Sequence, residues 1–204
     1  MPNKDERPAH VQEFVGKYEE TNPISRYLLN NFYNNLQVLL PDTPLNILEV
    51  GCGAGLSAER IIPMCHAGSH FEGSDVLSDL TDLAAERNPG ITFTPESVYK
   101  MDRKDNSFDL ILGLEMLEHL EDPEKALMEM KRVSSRYLLL SVPREPIWRI
   151  LNLVRFKYVA DLGNTPGHLN HWSTSGFRKF AAQAGTVVDY RTPLPWTMVL
   201  VELE

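Results

Sequence analysis

The chain of 204 residues is poor in cysteine, in basic charge and in long apolar runs, and each shortage excludes a class of protein. Two cysteines, Cys52 and Cys65, are too few for a disulfide framework or a cysteine-built zinc site. No segment approaches the roughly 18 consecutive apolar residues of a membrane-spanning helix. The stretch from Met1 to Arg7 is polar and proline-interrupted, unlike a signal peptide. A cytoplasmic protein with reduced thiols and no membrane partner is therefore expected. Lys and Arg number 20 against 28 Asp and Glu, a formal charge of -8. That balance argues against a nucleic-acid partner, because phosphate neutralisation needs a concentrated basic face. Residues 1–44 carry 4 basic and 6 acidic groups, 45–142 carry 9 and 17, and 143–204 carry 7 and 5. Only the last third is net positive, which suits an anionic or neutral substrate there.

What is present is an apolar fraction of 43%, enough for one substantial core and one domain. Short apolar runs alternate with amphipathic segments, the pattern of βαβ units on a mostly parallel sheet. The strands are expected at Leu45–Val50, Ser69–Ser74, Ile91–Thr94, Phe108–Leu112 and Tyr137–Val142, with an antiparallel terminal pair at Thr186–Tyr190 and Thr197–Leu203. Helices are expected at Leu56–Ile62, from a cap at Ser78, and from the Asp122-Pro123-Glu124 start, whose buried stripe is Leu127, Met130 and Val133. Residues 10–40 read as one or two helices with a break at Asn22-Pro23, placed over the ligand crevice as a lid spanning residues 1–44.

Chemistry concentrates first at Glu49-Val50-Gly51-Cys52-Gly53-Ala54-Gly55, a strand running into three alternating glycines and then a helix. Such a turn is either a tight βα connection or a place where backbone and helix N-terminus approach a ligand. A dinucleotide fingerprint wants a third glycine three places after the second, and Leu56 stands there, so another adenosine ligand is favoured. Asp75, about twenty residues on at the end of the next strand, is placed to accept from both ribose hydroxyls.

In this order the motifs resemble those of class I S-adenosylmethionine-dependent methyltransferases over residues 45–142. The likeness rests on Ile47 to Gly55, on Gly73-Ser74-Asp75-Val76, on Asp105 to Ile111, and on Glu115-Met116-Leu117-Glu118-His119-Leu120. The resemblance implies a Rossmann-like α/β fold: a seven-stranded, mostly parallel sheet with helices on both faces and an antiparallel last strand. It implies S-adenosyl-L-methionine as cofactor, with Glu49, Gly51, Cys52, Gly53 and Gly55 beneath its methionine part and Asp75 at the ribose. Val76 and Leu77 would pack on the adenine, Ser97 and Val98 would meet its edge, and Gly113 and Leu114 would lie beside the sulfonium. Tyr18 and Arg26 would reach the cofactor carboxylate, although Arg26 equally suits a solvated helix face. His119 is expected as structural or cofactor-adjacent.

The sequence departs from the family at Ser97, where an aspartate is common, and at Met101-Asp102-Arg103, where an apolar turn is common; Glu96 is the substitute for adenine recognition. In-line displacement on a sulfonium needs no acid and relies on proximity and alignment, with a base only where the nucleophile must lose a proton. His171 and His168, in Gly167-His168-Leu169-Asn170-His171-Trp172, are candidates for that base or members of a hydrogen-bonded loop around Trp172. Glu115, Glu118 and His119 also resemble the Glu-x-x-Glu-His metal motif of some methyltransferases, but no metal is expected. Trp148, Ile150, Leu151, Leu153, Val154 and Phe156 are either core or, with Trp172 and Trp196, the wall of an apolar substrate pocket within an insertion at about 143–175. The expected activity is methyl transfer to a small-molecule acceptor, at oxygen. A macromolecular methyltransferase and a non-catalytic S-adenosylmethionine-binding scaffold are the alternatives.

Overall fold

The computed structural model describes residues 22–203. Helix α1 (Pro23–Leu39) begins after Asn22, whose side chain accepts from the Ile24 amide, with Pro23 in the first turn. The remaining elements are β1 (Asn46–Val50), α2 (Ala58–Ile61), β2 (His70–Asp75), α3 (Ser78–Arg87), β3 (Thr92–Pro95), β4 (Phe108–Leu114), α4 (Pro123–Val133), β5 (Ser134–Pro143), α5 (Ile147–Val154), α6 (Thr174–Ala181), β6 (Thr186–Arg191) and β7 (Trp196–Glu202).

The seven strands lie in the order β3-β2-β1-β4-β5-β7-β6. Strands β1 to β5 are mutually parallel, and β7 runs antiparallel between β5 and β6. Alternate side chains of the central strands serve opposite faces, as the two-residue period of a strand requires. Leu48, Ile111 and Leu138 pack on one face with Leu127, Met130 and Phe177 from α4 and α6. Ile47, Leu110, Leu112 and Leu139 pack on the other with Phe32, Leu36 and Ile61 from α1 and α2.

Three expectations change. The helix after the glycine turn is a single turn, Ala58–Ile61, continued by a tighter turn over Ile62–Met64 that contains Pro63. Ser78 does not cap α3: Leu77 is the N-cap residue, with no side-chain cap, and Asp75 Oδ1 accepts the Leu77 amide at 3.0 Å. Residues 23–39 cover a sheet face. Helix α1 lies on the sheet face with Phe32, Tyr33, Leu36 and Leu39 buried, because that apolar stripe has β7 and α2 to cover. Phe32 in its middle meets Trp196 with ring centroids 5.0 Å apart. The part of the expected lid at residues 1–21, Tyr18 included, lies outside the described residues.

Leu36 has no exposed surface. Leu36→Ala should lower the unfolding free energy by about 2–5 kcal/mol, measured by denaturant titration; a loss under about 1 kcal/mol would show that α1 is not docked in the core.

Candidate active site

Strand order reverses between β1 and β4: the chain first builds outward through β2 and β3, then returns to start β4 on the other side of β1. Connections leaving the carboxyl ends of β1 and β4 diverge there, which opens a crevice at the pairing of Val50 with Gly113.

The β1 side of the crevice is the glycine turn. Gly51, Gly53 and Gly55 take φ of +72°, +52° and +72°, a left-handed region that glycine alone enters without strain. They serve different ends. A Cβ on Gly55 would sit 2.6 Å from Asn88 Nδ2 and 2.9 Å from Ala84 Cβ, so this glycine lets α3 close against the turn. A Cβ on Gly51 would lie 3.1 Å from Met116, which shows how closely the turn after β4 abuts the glycine turn. Gly53 donates its amide to Asp75 Oδ2 at 3.0 Å, so Asp75 fixes both the glycine turn and the start of α3. Beside it Val76 and Leu77 are 68% and 45% exposed, an apolar ledge open to a flat ligand.

The other expected cofactor residues separate into groups. Cys52 is buried, its amide bonded to the Ser74 carbonyl, and burial raises its thiol, so it fills space and is no nucleophile. Ser97 accepts the Tyr99 amide in the turn after β3, and Val98 packs into the core. Glu96 does not reach for a ligand: Arg103 Nε donates to it at 3.0 Å, while the same guanidinium holds Glu72 at 2.7 Å. The polar Met101-Asp102-Arg103 turn thus has a structural use. Gly113 is required by packing, since a Cβ would meet Leu140 at 3.0 Å and Met130 at 3.3 Å. Leu114 is buried at the end of β4, and Arg26 is on the exposed side of α1.

The β4 side carries buried acid. Glu115 has φ +55°, strained for a non-glycine residue, and its carboxylate accepts from Ser141 Oγ at 2.8 Å. Burial raises the carboxyls of Glu115 and Glu118 well above the usual range; the Ser141 hydroxyl partly offsets the rise at Glu115, and the charge of Glu115 adds to it at Glu118. Among the described residues Glu118 Oε2 and Glu49 Oε2 have no hydrogen-bond partner.

His168 arrives at Glu118 through hydrogen bonds between distant segments. The Leu169 and Asn170 amides donate to the Glu118 carbonyl at 2.8 and 3.0 Å, and Asn170 Nδ2 donates to the Leu117 and Leu120 carbonyls. His119 Nδ1 faces the Gly167 carbonyl at 3.0 Å, a contact that places a proton on that nitrogen. Trp148 Nε1 and Asn152 Nδ2, both from α5, donate to Thr165 Oγ1 and so fix the start of the same loop. One donor atom each from Glu118, His119 and His168 lies within 4.8 Å of the others. A carboxylate oxygen and two imidazole nitrogens suit either proton transfer or a divalent cation. His171 stands apart, exposed and bonded to Asn164 Oδ1 at 2.7 Å.

His168 stacks on Trp148 at 5.9 Å, Trp148 neighbours Trp196 at 6.1 Å, and Trp196 meets Phe32, an aromatic wall along the carboxyl edge. Trp172 is not part of it, packing instead on Phe177 and Phe180. Ile150, Leu153, Val154 and Phe156 belong neither to the core nor to the wall; they face outward because α5 turns Trp148 and Asn152 inward. The residues that sequence reasoning passed over are Ser141, Asn152 and Thr165. Only Asn152, a lone amide in an apolar helix, carried any signal.

Comparison with known proteins finds methyltransferases. Residues 48–136 match the family described as a methyltransferase domain. The ubiquinone biosynthesis O-methyltransferase of Pelagibacter ubique is 28% identical over 139 residues, 65% of this chain and 53% of that protein. The demethylmenaquinone methyltransferase of Chlamydia pneumoniae is 26% identical over 133 residues, 64% and 57%. The chain thus spans about half the length of the curated relatives it matches. The fold is shared with a SAM-dependent methyltransferase from Aquifex aeolicus, with a TM-score of 0.73 and 19% identity over 94% of this chain and 98% of the other. Over residues 48–136 the chain is similar to the methyltransferase-domain family, and its fold is that of S-adenosylmethionine-dependent methyltransferases. S-adenosyl-L-methionine is the cofactor that this likeness implies.

The crevice fits that group. Asp75 suits a ribose diol, the Val76–Leu77 ledge an adenine face, and the unpartnered Glu49 oxygen an ammonium. Burial pushes the Glu49 carboxyl up to about 7, the Ser57 hydroxyl pulls it partly back, and nearby Asp75 adds to the rise. Since the folded value lies above the unfolded one, the stability contribution is full at low pH and is lost as pH rises through about 7, a change on the order of 3 kcal/mol. Glu49→Gln should therefore melt with wild type at pH about 5 but at least about 5 °C higher at pH about 8. Identical melting at both would mean that the buried carboxylate carries no penalty.

Proposed function

We propose that this chain transfers the methyl group of S-adenosyl-L-methionine to an oxygen of a small, planar, largely apolar acceptor. The observation that carries the reading is the junction of two surfaces through Met116 against Gly51: a cofactor cradle at β1 and β2, and an aromatic wall with buried acid at β4, β5 and β7. The cofactor supplies an electrophilic methyl group, displaced in line from a sulfonium. The protein's part is alignment. Gly51 and Gly53 allow close backbone approach, Asp75 holds the ribose, and Glu49 meets the ammonium. Gly55, Gly113, Val98 and Leu114 contribute by packing, and the turn at Ser97 borders the adenine end.

On the acceptor side, the partly buried Trp148 offers apolar ring surface beside His168, with Trp196 packed behind it. His168 is the base: it is 8% exposed, within reach of Glu118, and takes the proton that the hydroxyl must lose. His171 holds the loop through Asn164 instead. Quinone-biosynthesis methyltransferases among the relatives support an oxygen on a ring, and the acidic chain supports a small molecule over a nucleic acid.

A second reading gives the Glu118, His119 and His168 cluster to a divalent cation that polarises the acceptor oxygen, favoured by the unpartnered Glu118 Oε2. The two differ in their response to metal. Under the base reading, activity survives chelation; under the cation reading, chelation abolishes it and added magnesium or zinc restores it.

Calorimetric titration should give micromolar binding of S-adenosylmethionine and S-adenosylhomocysteine and none of NAD, with Asp75→Ala weakening both by more than about tenfold. NAD binding, or an unchanged Asp75→Ala, would overturn the cofactor assignment. In a methyl-transfer screen on hydroxylated aromatic rings, His168→Ala should lower kcat about 10²-fold or more, and His171→Ala far less. The reverse order would move the base to His171.

A further inference from the structure

Helix α5 is built inside out. Its inward side carries polar contacts: Asn152, 7% exposed, donates to the Gly163 carbonyl, and Trp148 Nε1 bonds Thr165. Its outward side is apolar, with Ile150 53%, Leu153 38% and Val154 71% exposed. The surface continues beyond the helix through Phe156 at 87%, Val159 at 54% and Leu162 at 73%. Isolated exposed apolar residues are ordinary, but so many from one short segment mark a contact surface.

We propose that residues 147–162 dock this protein on an anionic lipid surface. The composition that excludes a spanning helix does not bear on such a contact, which needs only one apolar face near cationic groups; no described helix is long and apolar enough to cross a membrane. The charge distribution selects the occupant. The segment holds Arg149, which pairs with Glu145 at 3.8 Å, Arg155 and Lys157 against Asp161, a formal +2 in a chain of -8, which leaves -10 on the remainder. In a two-fold dimer through this face each +2 segment would meet its own copy, since such an interface pairs a patch with itself. An anionic bilayer instead attracts the segment and repels the rest, which orients the molecule with α5 down. Trp148, on the opposite side of the same helix, stacks on His168, so the docking face is the outer side of the aromatic wall.

The inference does not depend on the methyl-transfer reading. Full-length protein is floated with vesicles of phosphatidylcholine and phosphatidylglycerol, and with phosphatidylcholine alone. Binding to the anionic vesicles only, weakening as salt rises through the screening range, is expected. The double variant Val154→Ser/Phe156→Ser should lose about tenfold or more of that binding while its circular dichroism and its S-adenosylhomocysteine affinity stay at wild-type values. Failure of wild type to float, equal flotation with both lipids, or equal flotation of the variant would each overturn the proposal. So would a wild-type dimer that the double substitution splits without any lipid binding, which would assign the face to a second copy. Loss of S-adenosylhomocysteine affinity in wild type would count against the cofactor site and leave the docking result standing.

Discussion

Parallel strands can be joined only by crossovers, and crossovers of one hand deliver every βα connection to the same edge of the sheet. The rest of this structure depends on that constraint. It places the glycine turn, Asp75, the turn at Ser97 and the strained Glu115 along one carboxyl edge, although 64 positions separate Gly51 from Glu115. The reversal of strand order at β1 and β4 then separates two of those connections widely enough for a ligand to lie between them.

Within that frame the two sides of the crevice are stabilised differently. The β1 side is tied by the Gly53 and Leu77 amides, which both donate to Asp75, and by tight packing at Gly55. The β4 side is assembled from the turn at 117–120 and the loop at 163–170, joined by main-chain and amide hydrogen bonds. Buried carboxyls gather where the two meet. Glu49, Glu115 and Glu118 all lie above their usual titration range because burial disfavours their charged forms, whereas a cationic ligand would favour charge there.

How much of this was legible in the sequence follows from the range of each interaction. Strand β1, the glycine turn and Asp75 were readable because they form one unit, and the break at Asn22-Pro23 and the cap at Asp122-Pro123 have local signatures. Ser78 misled because it is a good cap residue that stands one position inside the helix. Helix α1 misled because an amphipathic stripe says that a face is covered, not which surface covers it. Helix α5 misled because apolar residues are read as interior, while its inward contacts belong to Asn152 and the Trp148 nitrogen. The meeting of His168 with Glu118 rests on bonds spanning roughly fifty residues, for which spacing along the chain holds no sign.

The loop that carries His168 is attached to its neighbours chiefly by hydrogen bonds, from Trp148, Asn152, Asn170 and His119. Hydrogen bonds strengthen as the surrounding dielectric falls. A wall fastened this way is looser against water and stiffer against an apolar surface that displaces it, so any apolar ligand resting there would help to tighten the surface that holds it.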